Sequence, residues 1–366
     1  MPISDCRFES NNRQLEIGNR QPQIGNMNKG VHRFALLVAG STFFLIIAGA
    51  LVTSHDAGLA TADWPLTEGR FLPKIEALGI PGVNMVGNLF WEHGHRMVAT
   101  TVGLLTIGLV LYLYRGELRK WLVGIGLLSQ AHTPYRGEQR SWVRRLGMVA
   151  LVGVVAQGLL GGLTVKLMLP LAVSSAHATL AQLFFCTTVS LAVFTSRSWL
   201  ESRPALAEQG TVPLRYLCVA TAVTILLQLV IGATLRHSAT WDQPLPTELL
   251  LTHVGGAIAV AILLVSSAFL ILRRHGDVPF LTRPAKIALL LLVAQLSLGI
   301  AAYVTRLASP HDPQPLKPMV GLTVAHVACG ALVFATMIVL TLRAFKVLRA
   351  TESTYSFSTS AQSHEV

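Results

Sequence analysis

The sequence predicts an all-α integral membrane protein, with eight transmembrane helices arranged as two four-helix bundles of parallel topology. Three observations predict it. Of 366 residues, 52% are hydrophobic and only 13% charged, with a mean hydropathy of +0.55, whereas soluble domains carry about 25% charged residues. Apolar runs of bilayer-spanning length, about 20 residues, recur along the chain with basic residues gathered in alternate connections. A histidine stands near the start of every second run, and a Gln–Gly pair four residues apart recurs in runs three, five and seven.

Residues 1–33 are polar and rich in Asn, Gln and Arg, and read as a disordered cytoplasmic tail. Asp5, Glu9 and Glu16 argue against a transit peptide, and no apolar stretch precedes a cleavage site. The apolar runs follow at about 34–53, 91–114, 146–165, 172–195, 216–235, 249–272, 285–304 and 319–342. The short apolar piece from Trp121 to Leu128 is too short to span and is expected in the membrane interface. Residues 343–366 form a second cytoplasmic tail. Residues 34–195 then make an N-terminal half and residues 216–342 a C-terminal half. The repeat supports this division: Gln157 and Gly161 in run three correspond to Gln295 and Gly299 in run seven, and Gln228 and Gly232 in run five keep the same spacing. Small residues at such positions let helices approach, and the glutamine bonds to a neighbouring helix. Four is an even number, so the halves share one topology and are related by an axis along the membrane normal.

Of the 29 Lys and Arg residues, 22 fall before run one, after runs two, four and six, or after run eight. The positive-inside rule therefore places both termini in the cytoplasm or its topological equivalent, and the expected location is a bacterial-type plasma membrane. The net charge of +11 is accounted for by this topology, so the expected surroundings are a lipid bilayer and not a nucleic acid. Cys6, Cys186, Cys218 and Cys329 show no metal-ligand spacing and no disulfide framework, and three of them lie in apolar runs as small buried residues.

Ionisable groups within apolar runs are costly and mark candidate sites. Trp91-Glu92-His93-Gly94-His95-Arg96 opens run two. Glu92 and His95, three apart, share a helical face, and His93 points nearly the opposite way. His95, His177, His253 and His326 each enter an even-numbered run, so all four sit at similar depth toward the outer leaflet. His32, His132, His275 and His364 fall in cytoplasmic segments and are expected to be solvated; His55, His237 and His311 fall in outer loops. Two imidazoles facing each other from neighbouring helices are how helical bundles hold haem iron. Arg96, Arg236 and Arg306, at outer helix ends, are candidates to pair with haem propionates or with lipid headgroups.

With these residues in register the chain resembles the haem A synthase family over about residues 34–345. Gly58-Leu59 and Asp63-Trp64-Pro65-Leu66 look like the family's first-loop signature, Glu92 and His95 match its Glu-x-x-His, and His177, His253 and His326 match its other three histidines. The resemblance implies an oxidoreductase that converts a ring methyl of haem O to a formyl group. It implies haem b as bound cofactor on His253 and His326, haem O as substrate beside His95 and His177, and Glu92 as a group that stabilises positive charge developing on the methyl or accepts a proton. All four histidines are then candidate ligands to haem iron. Candidate partners are a haem O synthase, a membrane electron acceptor and a second copy of the chain. Many relatives carry a cysteine pair around the first loop; the matching positions here are Thr61 and Thr67, so a thiol relay is not expected.

Two other function classes compete. A di-haem electron-transfer cytochrome would use the same two histidine pairs, but has no need of a carboxylate beside one of them. A transporter of parallel repeats would place polar groups at broken helices near the midplane, whereas these lie near one surface.

The charge count generates a test. In a background without the native cysteines, a cysteine at Thr61 should react with an impermeant thiol reagent on intact cells, and one at Gln139 should not. The reverse pattern would overturn the orientation.

Overall fold

The computed structural model describes residues 29–71, 74, 83, 85–128, 138, 140–202, 206–208, 212–238, 245–308 and 316–349. In order these form α1 (Lys29–Ser54), α2 (Gly87–Gly124), α3 (Ser141–Lys166), α4 (Leu171–Thr195), the short α5 (Arg197–Glu201), β1 (Leu206–Ala207), α6 (Leu214–Ser238), α7 (Thr247–Arg274), α8 (Pro279–Ala308), α9 (Lys317–Val347) and β2 (Leu348–Arg349). Among the described residues, eight helices are long and apolar enough to cross a membrane. The chain is an all-α multi-pass membrane protein.

Why these segments are helices follows from what the bilayer demands. Backbone groups in hydrocarbon must be satisfied within the segment, and the long runs of Leu, Val, Ile and Ala carry few residues that break a helix. Hydroxyl side chains are absorbed the same way: Thr42 donates to Val38 O at 2.7 Å and Thr106 to Val102 O at 2.8 Å. The exception is instructive. Pro284 lies inside α8 and has no N–H for the carbonyl four residues back, that of Phe280. Arg343 of α9 reaches across and donates to Phe280 O at 3.0 Å instead. One face of each helix stays apolar and outward: Leu290, Val293, Ile300 and Val304 of α8 are all exposed, Leu290 to 71%. Such a stripe is unfavourable in water and suited to acyl chains.

Packing follows the repeat. α1 lies against α2 and α4, and α3 against α2 and α4; α6 lies against α7 and α9, and α8 against α7 and α9. The first four long helices bury one apolar cluster around Val38, Leu109, Leu113 and Leu191. The last four bury another around Leu264, Ile271, Leu281 and Met337, which Ile46, Phe185 and Cys186 join from α1 and α4. α1 and α4 meet α6 and α9 between the two sets, where the rings of Phe43 and Phe185 lie 5.7 Å apart. At one end Arg236 of α6 donates to Ser54 Oγ of α1 at 2.8 Å. At the other end β1 pairs in parallel with β2, and Glu208, just after β1, holds Arg215 at 2.9 Å.

Several expectations need correction. α1 begins at Lys29, so the last residues of the expected disordered tail are helical. Trp121–Gly124 is not a separate interfacial piece: it continues α2, which stops only at the left-handed Gly126 (φ +78°). α9 runs on to Val347, into the expected second tail. Two histidines expected in solvent are not there. His32 Nδ1 lies 3.1 Å from Ala192 O of α4, and His275 is buried. His132, His311 and His364 lie outside the described residues, as does Cys6; Cys186, Cys218 and Cys329 are buried free thiols.

The approach of α2 to α3 is set by Gly147, where an added Cβ would come 2.7 Å from Leu113 Cδ1. Gly147→Val should lower the stability of the purified protein in detergent by about 1–3 kcal/mol, the usual cost of overpacking. Adding Leu113→Ala should recover part of the loss; a thermal midpoint unchanged by Gly147→Val would contradict the packing.

Candidate functional site

The four histidines singled out above are each set against a glycine of the preceding helix. A Cβ added at Gly49 would lie 3.1 Å from His95 Cε1, at Gly161 3.1 Å from His177 Cε1, at Gly232 2.9 Å from His253 Cε1, and at Gly299 2.9 Å from His326 Cε1. The same contact thus occurs in four helical hairpins, α1–α2, α3–α4, α6–α7 and α8–α9. Any larger residue would push the ring away from the neighbouring helix.

Three of the four hairpins add a glutamine one turn before the glycine. Gln157 Nε2 donates to His177 O at 3.0 Å and lies 3.3 Å from the ring Nε2. Gln228 Nε2 donates to His253 O at 2.7 Å and lies 3.1 Å from Nδ1. Gln295 Nε2 lies 3.3 Å from His326 Nε2, and His326 Nδ1 donates to Gln295 O at 3.1 Å. The Gln–Gly repeat is therefore helix packing, as expected, and what the glutamine packs on is the histidine. In α1 the position four before Gly49 is Leu45, so His95 lacks such a neighbour; among the described residues its Nδ1, like that of His177, is buried without a hydrogen-bond partner.

The rings of the second half come together as a pair. His253 and His326 have ring centres 6.4 Å apart at 70°, and His177 lies within Coulomb range of His95. Among the described residues, no three His, Cys, Asp or Glu side chains converge as a metal site. A pair suits an iron whose other donors come from a macrocycle. Metal–imidazole bonds of about 2 Å, with each ring centre roughly 1 Å behind its nitrogen, separate two axial ring centres by about 6 Å. The His253–His326 separation fits this. The His326 Nδ1 bond to a carbonyl fixes the ring, and Nε2, which faces the Gln295 amide at 3.3 Å, would exchange that contact for the iron.

Above the first pair lies a loop held down by polar contacts. Glu92 is buried and forms an ion pair with Arg96, one turn on. Its other oxygen accepts from the Thr61 N–H at 2.9 Å. Arg96 Nη1 donates to Asp63 O and Leu66 O, both at 2.7 Å, and to Thr67 Oγ1 at 3.1 Å. His93, on the opposite face from His95, is buried with Nδ1 2.9 Å from Thr67 Oγ1. Trp64, followed by a cis peptide bond to Pro65, lies on Gly162 of α3, where a Cβ would meet its ring at 2.7 Å. Lys166 Nζ donates to Ala62 O at 3.3 Å, and His55 stacks on Trp91 at 4.0 Å. The Asp-Trp-Pro stretch is thus a cap joined to α2 and α3. Thr61 and Thr67, which stand where relatives carry cysteines, both belong to it. His93 and Gly162 were not singled out as site residues: one contacts a threonine remote in sequence, the other a tryptophan.

The family described as cytochrome oxidase assembly protein matches residues 32–242, which include the cap, Glu92, His95 and His177. The haem A synthase of Shouchella clausii is 24% identical over 298 residues, 76% of this chain and 88% of that protein. That of Symbiobacterium thermophilum is 26% identical over 292 residues, 74% of this chain and 85% of that protein. That of Caulobacter vibrioides is 36% identical over 94 residues, which is 25% of this chain and 26% of that protein. The last match spans only about a quarter of its relative; the other two cover about three quarters of this chain.

The cap's attachment can be tested directly. Arg96→Ala removes three donated bonds to the loop and the partner of Glu92. Charge-assisted bonds of this kind contribute about 1.5–3 kcal/mol each, so tryptic cleavage after Arg70 should accelerate at least about tenfold. Unchanged protection would show that Trp64 and Lys166 suffice to hold the cap.

Proposed function

This chain belongs to the cytochrome oxidase assembly protein family, and from that premise we propose that it is a haem A synthase, an oxidoreductase converting a ring methyl of haem O to the formyl of haem A for terminal oxidase assembly. The relatives that match most of the chain carry that name. The observation that carries the reading is an asymmetry between two otherwise matched histidine pairs. Only His95 has a carboxylate three residues before it, Glu92; the corresponding positions before His177, His253 and His326 are Ser174, Leu250 and Thr323. A plain di-haem cytochrome would leave both Glu92 and the cap without a use.

In this reading His253 and His326 hold haem b, which when bound supplies a one-electron redox centre. His95 and His177 receive haem O. Glu92 stands one turn from His95 and is paired with Arg96, so in its ionised form it presents negative charge where the methyl carbon loses electrons. The same ion pair compensates a carboxylate that would otherwise be costly to bury. The cap keeps bulk water from the substrate pair, and Thr61 contributes its N–H to Glu92, so no thiol is required of it. The charge distribution supports a plasma-membrane protein with cytoplasmic termini and both pairs toward the outer face. A membrane electron acceptor is required to take the electrons; a haem O synthase and a second copy of this chain are the other proposed partners.

Glu92→Gln keeps an oxygen for the Thr61 N–H and removes the charge. In cells that depend on this chain, the haem A to haem O ratio should fall on the order of 10²-fold, as for other preorganised charges. The haem b spectrum of the purified variant should persist. Near-normal haem A would reduce Glu92 to the anchor of Arg96 and the cap, and loss of haem b along with activity would make it structural.

A further inference from the structure

A hydroxyl in an apolar helix ordinarily bonds back to a carbonyl three or four residues earlier, which removes the cost of burying it. On α4 Thr179, Thr187, Thr188, Ser190 and Thr195 all do so, at 2.7 to 2.8 Å. Ser174 does not. It is only 3% exposed, and among the described residues its Oγ has no hydrogen-bond partner. A native structure leaves few buried hydroxyls in that condition, and those it leaves tend to have a use.

Helix register shows where Ser174 points. Ser174, His177, Phe184 and Leu191 are spaced by three, seven and seven residues, which keeps them on one face of α4. His177 meets Gly161 of α3, Phe184 meets Gly153 of α3, and Phe184 and Leu191 join the first half's apolar cluster. That face therefore looks into the first bundle. Ser175 Oγ is also buried without a partner, but Ser175 lies seven residues from Gln182 and eleven from Cys186, on the face where Cys186 packs with the second half's cluster.

Ser174 stands one turn outward of His177, about 4.5 Å of rise, and Glu92 stands one turn outward of His95. α2 and α4, which present these imidazoles, each pack on α1 and on α3, so they face one another across the bundle. A macrocycle ligated from both helices has Glu92 beside one face and Ser174 beside the other. In the second half the same two positions hold Leu250 and Thr323, both only half-buried.

We propose that the Ser174 hydroxyl binds the oxygen of the partly oxidised substrate and holds that species in the first site until the formyl group is made. The inference rests on the haem O reading of His95 and His177. A methyl and a formyl carbon differ by four electrons, so a ring hydroxymethyl lies between them, two electrons along; the electrons leave to the membrane acceptor already required. The methyl gives Ser174 nothing to bond, whereas the hydroxymethyl offers both a donor and an acceptor. The intermediate thus satisfies a buried hydroxyl that the entering substrate leaves unsatisfied, and is held more tightly. Ser174 supplies affinity alone: it forms no covalent bond and passes on no proton.

Haem A reduced at its formyl group by borohydride is the hydroxymethyl compound, and haem O is its methyl counterpart. The full-length chain carrying His253→Ala and His326→Ala, made in haem-deficient cells, would be titrated with each in detergent, reading the low-spin spectrum of two axial imidazoles. The hydroxymethyl haem should bind about tenfold more tightly than haem O. Ser174→Ala should cut that preference at least about fivefold and leave haem O affinity within about twofold, which makes haem O the control for folding. In cells that depend on the chain with all its histidines, Ser174→Ala should raise the ratio of hydroxymethyl haem to haem A in extracts about fivefold or more.

A preference unchanged by Ser174→Ala would overturn the proposal, leave the haem reading standing and make Glu92 the group that recognises the oxygen. Equal binding of the two haems with Ser174 in place would overturn it as well, as would an unchanged ratio in extracts. Equal loss of both haems in Ser174→Ala would make the serine a packing residue. Absence of a low-spin spectrum with either haem, in a chain that elutes as the unaltered one does, would overturn the haem reading of the first pair and the role of Ser174 with it.

Discussion

An imidazole edge pressed against a glycine backbone is the contact from which the architecture is built. It occurs in four hairpins at nearly one distance. Each instance fixes how closely two helices approach and how far a histidine projects between them. A bilayer gives little hydrophobic drive for helix association, so close packing and polar contacts must supply it. Here one residue pair supplies both. The glycine admits the ring; the ring, through its nitrogens and those of the adjacent glutamine, bonds the helices together. Packing and the placing of these imidazoles are therefore not separable in this protein. A substitution at Gly232 or Gly299 would move a donor atom as directly as a substitution of the histidine.

The second constraint is electrostatic. A buried carboxylate and a neighbouring guanidinium are costly in a membrane domain unless each is fully engaged. Glu92 and Arg96 are engaged twice over, with each other and with the loop above them. The i,i+4 ion pair gives Glu92 a structural use of its own, and it does not displace the catalytic proposal. It provides the condition under which an ionised carboxylate can persist beside a hydrophobic substrate. The loop depends on the pair, and the pair on the loop: Asp63, Leu66 and Thr67 offer acceptors to Arg96 only because Trp64 and Lys166 seat the stretch on α3.

What was legible in the sequence follows from periodicity and cost. Eight spans are announced by length and hydropathy, and the histidines and Glu92 by the expense of placing them there. The Gln–Gly repeat is visible because its spacing recurs three times, and its meaning becomes plain only in three dimensions, where the partner is a histidine 20 to 31 residues away. Gly49 escapes the repeat because Leu45 replaces the glutamine. The contact of His32 with α4 and the burial of His275 were not legible, since membership of a polar connection says nothing of what packs over it. The repair of Pro284 by Arg343 was equally hidden, because it joins a missing donor to a side chain on another helix. Helix ends were misjudged where charged residues continue a helix out of the apolar region, as at Lys29 and Trp121.

The departures from the repeat carry as much information as the repeat. If the two halves arose from one four-helix unit, identical function would preserve identical surroundings for each histidine. Three histidines are held by a glutamine, and His95 is not. One histidine has a carboxylate a turn away, and it is again His95. The mouth of its half has Arg96 and Lys166 bonded to a cap. These differences converge on a single hairpin, α1–α2, and on the loop that follows α1. A site that keeps its ligand benefits from ligating side chains held firmly by the protein. A site that must admit one porphyrin and release another gains from a histidine that no glutamine holds and whose cover is a loop. The unequal treatment of His95 is what such a division of labour requires, and nothing in helix packing alone would select it.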